Sequence, residues 1–186
     1  MKPFLPPPLL LAALLGLSTC KKHDTTPAKP EDQLPPATQT GADTFGCLLD
    51  SQAYTPSGYN GTANYAVIFD PTFQGGTLQV MTYRYLTDKY GKYQQRVSFT
   101  CEGINRAGQY ALTGQGNQIL SVTDGDRNRL CHSYFTGNPD TYTRGTLTIT
   151  RLDQAAGIVS GTFAFTLAQS GCDTLRVTQG RFDKKI

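Results

Sequence analysis

Apolar and polar residues alternate along most of the chain after residue 44, and this period of two is the dominant pattern in the sequence. Within residues 145–152, for example, Leu147 and Ile149 share one face, and threonines occupy the positions between and around them. Side chains of a β-strand point alternately to opposite faces, so the pattern is typical of a half-buried antiparallel strand. No stretch of this region has a helical period of useful length.

The alternating segments are short, and glycine, aspartate and asparagine separate them. Many short strands between closely spaced turn residues indicate a β-sandwich or a β-barrel. We predict an all-β domain, an antiparallel meander of about ten short strands that forms a barrel or a sandwich, since both give the same alternation. The candidate strands are residues 44–50, 52–55, 63–69, 77–86, 94–102, 109–113, 119–123, 129–136, 145–152, 158–168 and 174–183.

The last of these strands departs from strict alternation. Leu175 and Val177 are in phase with each other, whereas Phe182 is out of phase. One extra residue at Gln179-Gly180, a β-bulge, would return Phe182 to the core face. In the preceding strand, Gly161 lies among the apolar positions and predicts a bend or a close backbone approach.

The N-terminal segment predicts export and lipid anchoring. Lys2 precedes an apolar run, residues 9–17, that is too short to span a membrane as a helix and is typical of a signal peptide. The sequence Leu17-Ser18-Thr19-Cys20 ends this run with the pattern of a bacterial lipobox. We therefore predict a lipoprotein signal peptide over residues 1–19 and lipidation of Cys20. The alternative is an ordinary signal peptide that is cut nearby, in which case Cys20 is an unpaired cysteine without a lipid.

The segment that follows Cys20 has no hydrophobic periodicity. It contains four prolines among polar residues, and such a composition cannot bury enough apolar surface to offset its ordering entropy. We predict a disordered, Pro-rich tether over residues 20–43 and a single all-β domain over residues 44–186. The lipid on Cys20 would hold this domain at the outer membrane of the cell envelope, on its periplasmic or its surface face.

Four further cysteines, Cys47, Cys101, Cys131 and Cys172, are disulfide candidates, because an even number in an exported chain favours disulfides. Three pairings are possible, and the sequence does not choose among them. We prefer Cys101 with Cys131 and Cys47 with Cys172. A zinc site is the alternative, but the chain has no C-x-x-C pair.

Charge and composition argue against several function classes. The formal net charge is only +3 and the basic residues are scattered, so we expect no nucleic-acid partner. His132, the only histidine after residue 44, and Glu102 have no sequence context of a catalytic group. Residues 124–128 begin like a calcium loop, but the glycine and glutamate expected later in such a loop are absent, and a tight turn is the alternative. We therefore predict no enzymatic activity, no cofactor and no metal.

Tyrosines cluster near the fourth predicted strand. Tyr83 and Tyr85 share the face opposite Leu78 and Val80, and Tyr90 and Tyr93 follow in the next turn, so the sequence predicts a recognition surface of Tyr83, Tyr85, Tyr90 and Tyr93. The alternative is packing against neighbouring strands, since tyrosine is a good strand former.

Short motifs at the two ends of the domain carry a family resemblance. Residues 160–165, Cys172-Asp173-Thr174 and residues 180–183 resemble the end of an uncharacterised lipoprotein family common in Bacteroidota, and residues 44–47 look like its opening. The resemblance implies an all-β lipoprotein domain and brings no known activity. We expect a membrane-anchored envelope lipoprotein with a non-catalytic binding or structural role and an unknown protein, glycan or small-molecule partner. The alternative is a lipocalin-like carrier of a small apolar ligand.

Overall fold

The computed structural model describes residues 29–126 and 128–186, and the predicted leader and Cys20 lie outside them. One turn of 3₁₀ helix, Pro30–Gln33, precedes eleven strands, and each predicted strand overlaps one of them. No helix among the described residues has the length and apolarity to cross a membrane. The strands are β1 Thr44–Leu49, β2 Gln52–Tyr54, β3 Tyr65–Asp70, β4 Thr77–Asp88, β5 Gly91–Cys101, β6 Gly108–Leu112, β7 Ile119–Asp124, β8 Ser133–Phe135, β9 Thr141–Asp153, β10 Ile158–Gln169 and β11 Leu175–Lys185.

These strands form two antiparallel sheets, which confirms the all-β prediction and gives a sandwich. The six-stranded sheet has the order β2-β1-β11-β10-β9-β6, and the five-stranded sheet has the order β3-β4-β5-β7-β8. The chain is not a simple meander, because β1 pairs with β11 and β6 pairs with β9. The described residues form no closed barrel, which is the frame that a lipocalin-like carrier would need.

Side chains from both sheets fill the space between them. Phe163 of β10 lies near the centre, with its ring centroid 5.5 Å from that of Phe45 and 5.1 Å from that of Phe99 on the opposite sheet. All three residues are at most 4% exposed. Burial of apolar surface of this kind, at roughly 25 cal/mol per Å², is the main stabilising contribution to such a domain.

The β-bulge predicted in the last strand is confirmed. The pairing between β1 and β11 passes from Gly46–Arg181 to Leu48–Thr178, so β11 contains one extra residue. At the bulge, Gln179 adopts a left-handed backbone conformation with a φ of 53°. The bulge returns Phe182 to the core face, where it is only 2% exposed. The prediction for Gly161 is confirmed as a close backbone approach, because a Cβ atom there would lie 2.6 Å from the Thr148 carbonyl oxygen.

The structure differs from the expected tether, because residues 30–43 lie against the domain. We call this segment the N-terminal strap. Leu34 is buried, and Pro35 packs so closely on Gly46 of β1 that a Cβ atom at Gly46 would lie 2.6 Å from the proline ring. Of the prolines in the strap, Pro35 packs on the domain, whereas Pro30 and Pro36 are exposed. Residues 20–28 of the predicted tether lie outside the described residues.

The carboxylate of Asp183, on β11, holds the strap. It accepts hydrogen bonds from the Thr38 hydroxyl at 2.6 Å, from the backbone N–H groups of Thr40, Gly41 and Ala42 at 2.8–3.1 Å, and from the Ser160 hydroxyl at 2.6 Å. Asp183 is 1% exposed. Burial alone would raise the pKa of this carboxyl, but the donated hydrogen bonds outweigh it and hold the pKa well below the ordinary value of 3.8.

One disulfide forms among the four candidates, and our preferred pairing is wrong. Cys131 bonds to Cys172, which links the β7–β8 loop to the β10–β11 turn across a sequence separation of 41 residues. A loop of this length corresponds to a stabilisation of about 4 kcal/mol in the chain-entropy model. Cys47 and Cys101 are free and buried, and burial raises the pKa of each thiol to about 12. Their strands direct them into the core, so they act there as small apolar side chains.

We predict that Asp183→Asn destabilises the protein by about 3 kcal/mol at pH 6, because the amide repeats only part of the acceptor capacity and several donors lose their partner. A group with a depressed folded-state pKa contributes stability above its unfolded-state pKa, near 3.9, and this contribution is lost as the pH falls below that value. The difference between wild type and variant in urea unfolding should therefore shrink between pH 6 and pH 2.5. Asp140→Asn, at an exposed carboxylate, is the control, and an equal loss in both variants would refute the role of Asp183.

Candidate functional site

The four tyrosines predicted as a recognition surface do not share one exposed face. Tyr83 is 4% exposed, Tyr85 and Tyr93 are half-buried, and only Tyr90, in the β4–β5 hairpin, is more than half exposed, at 51%. The strand phase of Tyr83 and Tyr85 was predicted correctly, since both point away from the core. Tyr83 is nevertheless buried, because residues 55–64, the β2–β3 loop, lie over it.

Hydrogen bonds attach this loop to β4. The Tyr83 hydroxyl donates to the Thr62 carbonyl at 2.6 Å and accepts from the Asn60 N–H at 3.2 Å. Backbone bonds join Ser57 N–H to the Tyr83 carbonyl at 3.2 Å and Tyr85 N–H to the Ser57 carbonyl at 3.3 Å. Tyr83 and Tyr85 thus support a loop, and Tyr83 has little surface of its own to offer a partner.

Gly58 allows this loop to approach Tyr85 closely. Its φ is 84°, and a Cβ atom at this position would lie 2.9 Å from the Tyr85 ring. A residue with a side chain would therefore meet both backbone strain and a steric contact. The next residue, Tyr59, is directed outward and is 76% exposed.

A cleft of about 640 Å³ lies between the β2–β3 loop and the N-terminal strap. Leu34 and Pro35 of the strap, Pro56 and Tyr59 of the loop, and Phe45 of β1 contribute apolar surface to its walls. Clefts of roughly 300–1,000 Å³ with apolar walls and a few polar groups are the usual form of small-molecule sites. We call this feature the strap cleft.

Tyr65, the first residue of β3, lines the strap cleft beside the charged side chains of Asp43 and Lys184. The Tyr65 hydroxyl is buried and has no hydrogen-bond partner among the described residues. Burial and the nearby carboxylates of Asp43 and Asp183 raise its pKa, so it is a neutral hydroxyl that can donate. Lys184 pairs with Asp43 and places its ammonium 4.8 Å from the centroid of the Tyr65 ring. This arrangement suits binding of an apolar body with one polar group.

The acidic and histidine candidates occupy structural positions. Asp124 is 1% exposed, and one of its carboxylate oxygens lies 2.5 Å from Nε of Arg129, which also pairs with Asp50. His132 is exposed and has its Nδ1 atom 3.1 Å from the Asp124 carbonyl. Glu102 accepts a hydrogen bond from Asn117. These contacts join the β7–β8 loop to the β1–β2 turn and the two sheets to each other, and they form no nucleophile–base pair.

The residues after 28, apart from Arg127, contain no group of three His, Cys, Asp or Glu side chains close enough to hold a metal ion. The turn at Asp126 is fixed by its own carboxylate, which accepts from the N–H and the side-chain amide of Asn128. Sequence reasoning missed Tyr59, Tyr65 and Lys184 as site residues. The packing of β3, β11 and the β2–β3 loop brings these positions together, and no local pattern marks them.

We predict that Tyr83→Phe releases the β2–β3 loop, because its Thr62 and Asn60 backbone groups lose a hydroxyl partner at a cost of about 1 kcal/mol. Hydrogen exchange measured by mass spectrometry should be faster across residues 57–64 and unchanged in β9 and β10. Tyr142→Phe, at a tyrosine that is 64% exposed, is the control. Unchanged exchange of the loop in Tyr83→Phe would refute the supporting role of Tyr83.

Comparison with known proteins places the chain in a family. The family model described as Domain of unknown function (DUF6252) matches residues 71–184, which is more than half of the chain and runs from just before β4 to the end of β11. Neither the curated proteins nor the solved structures contain a match to this chain. Most residues of the strap cleft precede the matched stretch. The chain belongs to the DUF6252 family, a family of unknown function.

Proposed function

We propose that this chain is a non-catalytic binding lipoprotein of the bacterial cell envelope, of a family found in Bacteroidota, which is anchored to the outer membrane through Cys20. Its ligand is a small molecule with an apolar body, held in the strap cleft. The observation that carries the proposal is the cleft itself, whose volume of about 640 Å³ and apolar walls match those of small-molecule sites.

One ion pair favours a ligand with a polar group. Lys184 and Asp43 form this pair, and both residues line the strap cleft. A polar group on the ligand can contact the pair, which gives the cleft a preference for a molecule with one such group over a pure hydrocarbon. The Tyr65 hydroxyl oxygen has no exposed surface, so the ligand does not contact it.

The position of the strap also bears on anchoring. Because residues 30–43 are packed on the domain, only the residues before them can act as a spacer after Cys20. Even fully extended, at 3.3–3.6 Å per residue, a spacer from Cys20 to Lys29 reaches no more than roughly 30 Å. The domain, with the strap cleft near its N-terminal end, would therefore stay close to the membrane surface.

We predict that Cys20→Ser moves the protein out of the membrane fraction, since the serine hydroxyl cannot take the thioether-linked lipid that anchors a lipoprotein. Cell fractionation and the intact mass of the wild-type protein measure this, and the wild type should carry the mass of several acyl chains. Cys47→Ser, at a buried free thiol, is the control and should leave fractionation unchanged. A wild-type mass without acyl chains would refute the anchor.

We predict that Tyr59→Ala weakens binding of the uncharged apolar dye N-phenylnaphthylamine roughly fivefold, because an exposed ring on the cleft wall contributes about 1 kcal/mol of contact. Fluorescence titration of the chain from Lys21 to Ile186 measures the affinity. The control is Tyr142→Ala, at an exposed tyrosine that lies on the six-stranded sheet and outside the cleft, and this variant should bind the dye like the wild type. Equal losses in the two variants, or no dye binding at all, would refute the cleft as the ligand site.

A further inference from the structure

A second surface, independent of the strap cleft, lies on the outer face of the six-stranded sheet. The strap lies over the part of this face near Ser160, Arg181 and Asp183, where the Pro35 carbonyl also accepts a hydrogen bond from Arg181. Beyond the strap, β9, β10 and β11 expose side chains in register. One row is Arg144, Thr166 and Arg176, and another contains Thr148, Thr162 and Arg181. Between these rows lie Thr146, Ala164 and Thr178.

Short side chains make this face concave. Depressions of about 660 Å³ and about 340 Å³ lie side by side on it and share Thr146, Ala164 and Thr178 on their walls. The bulge at Gln179-Gly180 contributes to the first depression. We call the two together the arginine groove. Its centre carries threonine hydroxyls, and each of these can both donate and accept.

Charge is distributed unevenly around the arginine groove. Arg144 and Arg176 lie on strands separated by one strand, so their Cα atoms are about 10 Å apart. Neither guanidinium has a hydrogen-bond or ion-pair partner among the described residues. None of the residues that line the two depressions is acidic. The nearby Asp50 accepts from the backbone N–H of Arg176 and pairs with Arg129 instead.

Tyr142 extends the same face beyond Arg144. It is paired with Ala168, and its ring is 64% exposed. Aromatic rings beside short polar side chains suit a ligand whose surface has apolar C–H patches as well as hydroxyl groups. Sugar rings have this composition, whereas a membrane surface would call for exposed apolar side chains that insert below the head groups.

We propose that the arginine groove binds an acidic polysaccharide. The guanidinium groups of Arg144 and Arg176 hold carboxylate or sulfate groups of the chain, since arginine presents paired N–H donors that match such anions. The threonine hydroxyls contact sugar hydroxyls, and Tyr142 packs against a sugar ring. The lipid anchor on Cys20 would then connect the outer membrane to an acidic glycan next to it. This last step rests on the proposed anchor, whereas the groove itself does not.

The test uses the full-length chain in detergent and measures binding of alginate, a polymer with a carboxylate on every sugar, by biolayer interferometry. Wild type should bind alginate with an affinity that falls as salt rises, and it should not bind neutral dextran. Arg144→Ala with Arg176→Ala should weaken alginate binding about tenfold or more, because two charge-assisted contacts are removed. Both residues are exposed, so the variant should keep the wild-type melting temperature.

The matched control is Arg96→Ala with Arg106→Ala, which removes the same charge from exposed positions away from the groove. This control, and Tyr59→Ala in the strap cleft, should bind alginate like the wild type. The proposal would be overturned if both double variants bound alginate equally weakly, or if the wild type bound duplex DNA as tightly as alginate. Either result would show that alginate binding is general charge attraction. Absence of alginate binding would also overturn it, as would binding only to micelles that contain phosphatidylglycerol, which would indicate a membrane contact.

Discussion

The buried carboxylate of Asp183 holds together the parts of this molecule that any binding function would use. It accepts from six separate donors, three of which are backbone N–H groups of the strap, and Asp183 is only 1% exposed. A buried charge is stable only when its oxygens are satisfied in this way. The strap therefore cannot leave without exposing an uncompensated charge and several unpaired donors, and this makes it part of the domain.

Two surfaces follow from the course of the strap. Where the strap runs past β1 and the β2–β3 loop, it supplies one wall of the strap cleft, including Leu34 and Pro35. Beside Ala37 of the strap, the outer face of the six-stranded sheet is left open, and the arginine groove occupies that area. The two surfaces differ in chemistry, since one is apolar with a buried hydroxyl and the other is basic and rich in threonine. They can be tested separately, because no residue proposed to bind at one contributes to the other.

Much of the fold could be predicted from the sequence, because its determinants are local. Alternation locates each strand, and the phase break before Phe182 locates the bulge at Gln179-Gly180. Alternation does not reveal which strands pair, so it fits a barrel and a sandwich equally; the division of the strands into two separate sheets gives the sandwich. Cysteine pairing is likewise a property of the assembled loops, and Cys131 meets Cys172 because two chain reversals lie at the same end.

The candidate site was less accessible to sequence reasoning. The outward phase of Tyr83 was correct, but its burial depends on a loop that no local pattern places over it. Proline and polar residues in the strap have the composition of a disordered tether. Their order depends on an acceptor more than 140 positions away in the sequence. Interactions of such long sequence separation leave no periodic signature, so the cleft that the strap forms could not be foreseen.

Hydrogen exchange of the strap amides is the measurement that tests this account most directly. The backbone N–H groups of Thr40, Gly41 and Ala42 donate to the side chain of Asp183 and take no part in strand pairing, so their protection reports only the attachment of the strap to Asp183. We predict that these three amides exchange as slowly as amides at the edge of the sheets, in the full-length protein at neutral pH. Exchange at the rate of an unstructured peptide would show that the strap is not attached to Asp183, and it would contradict the strap cleft, which depends on that attachment.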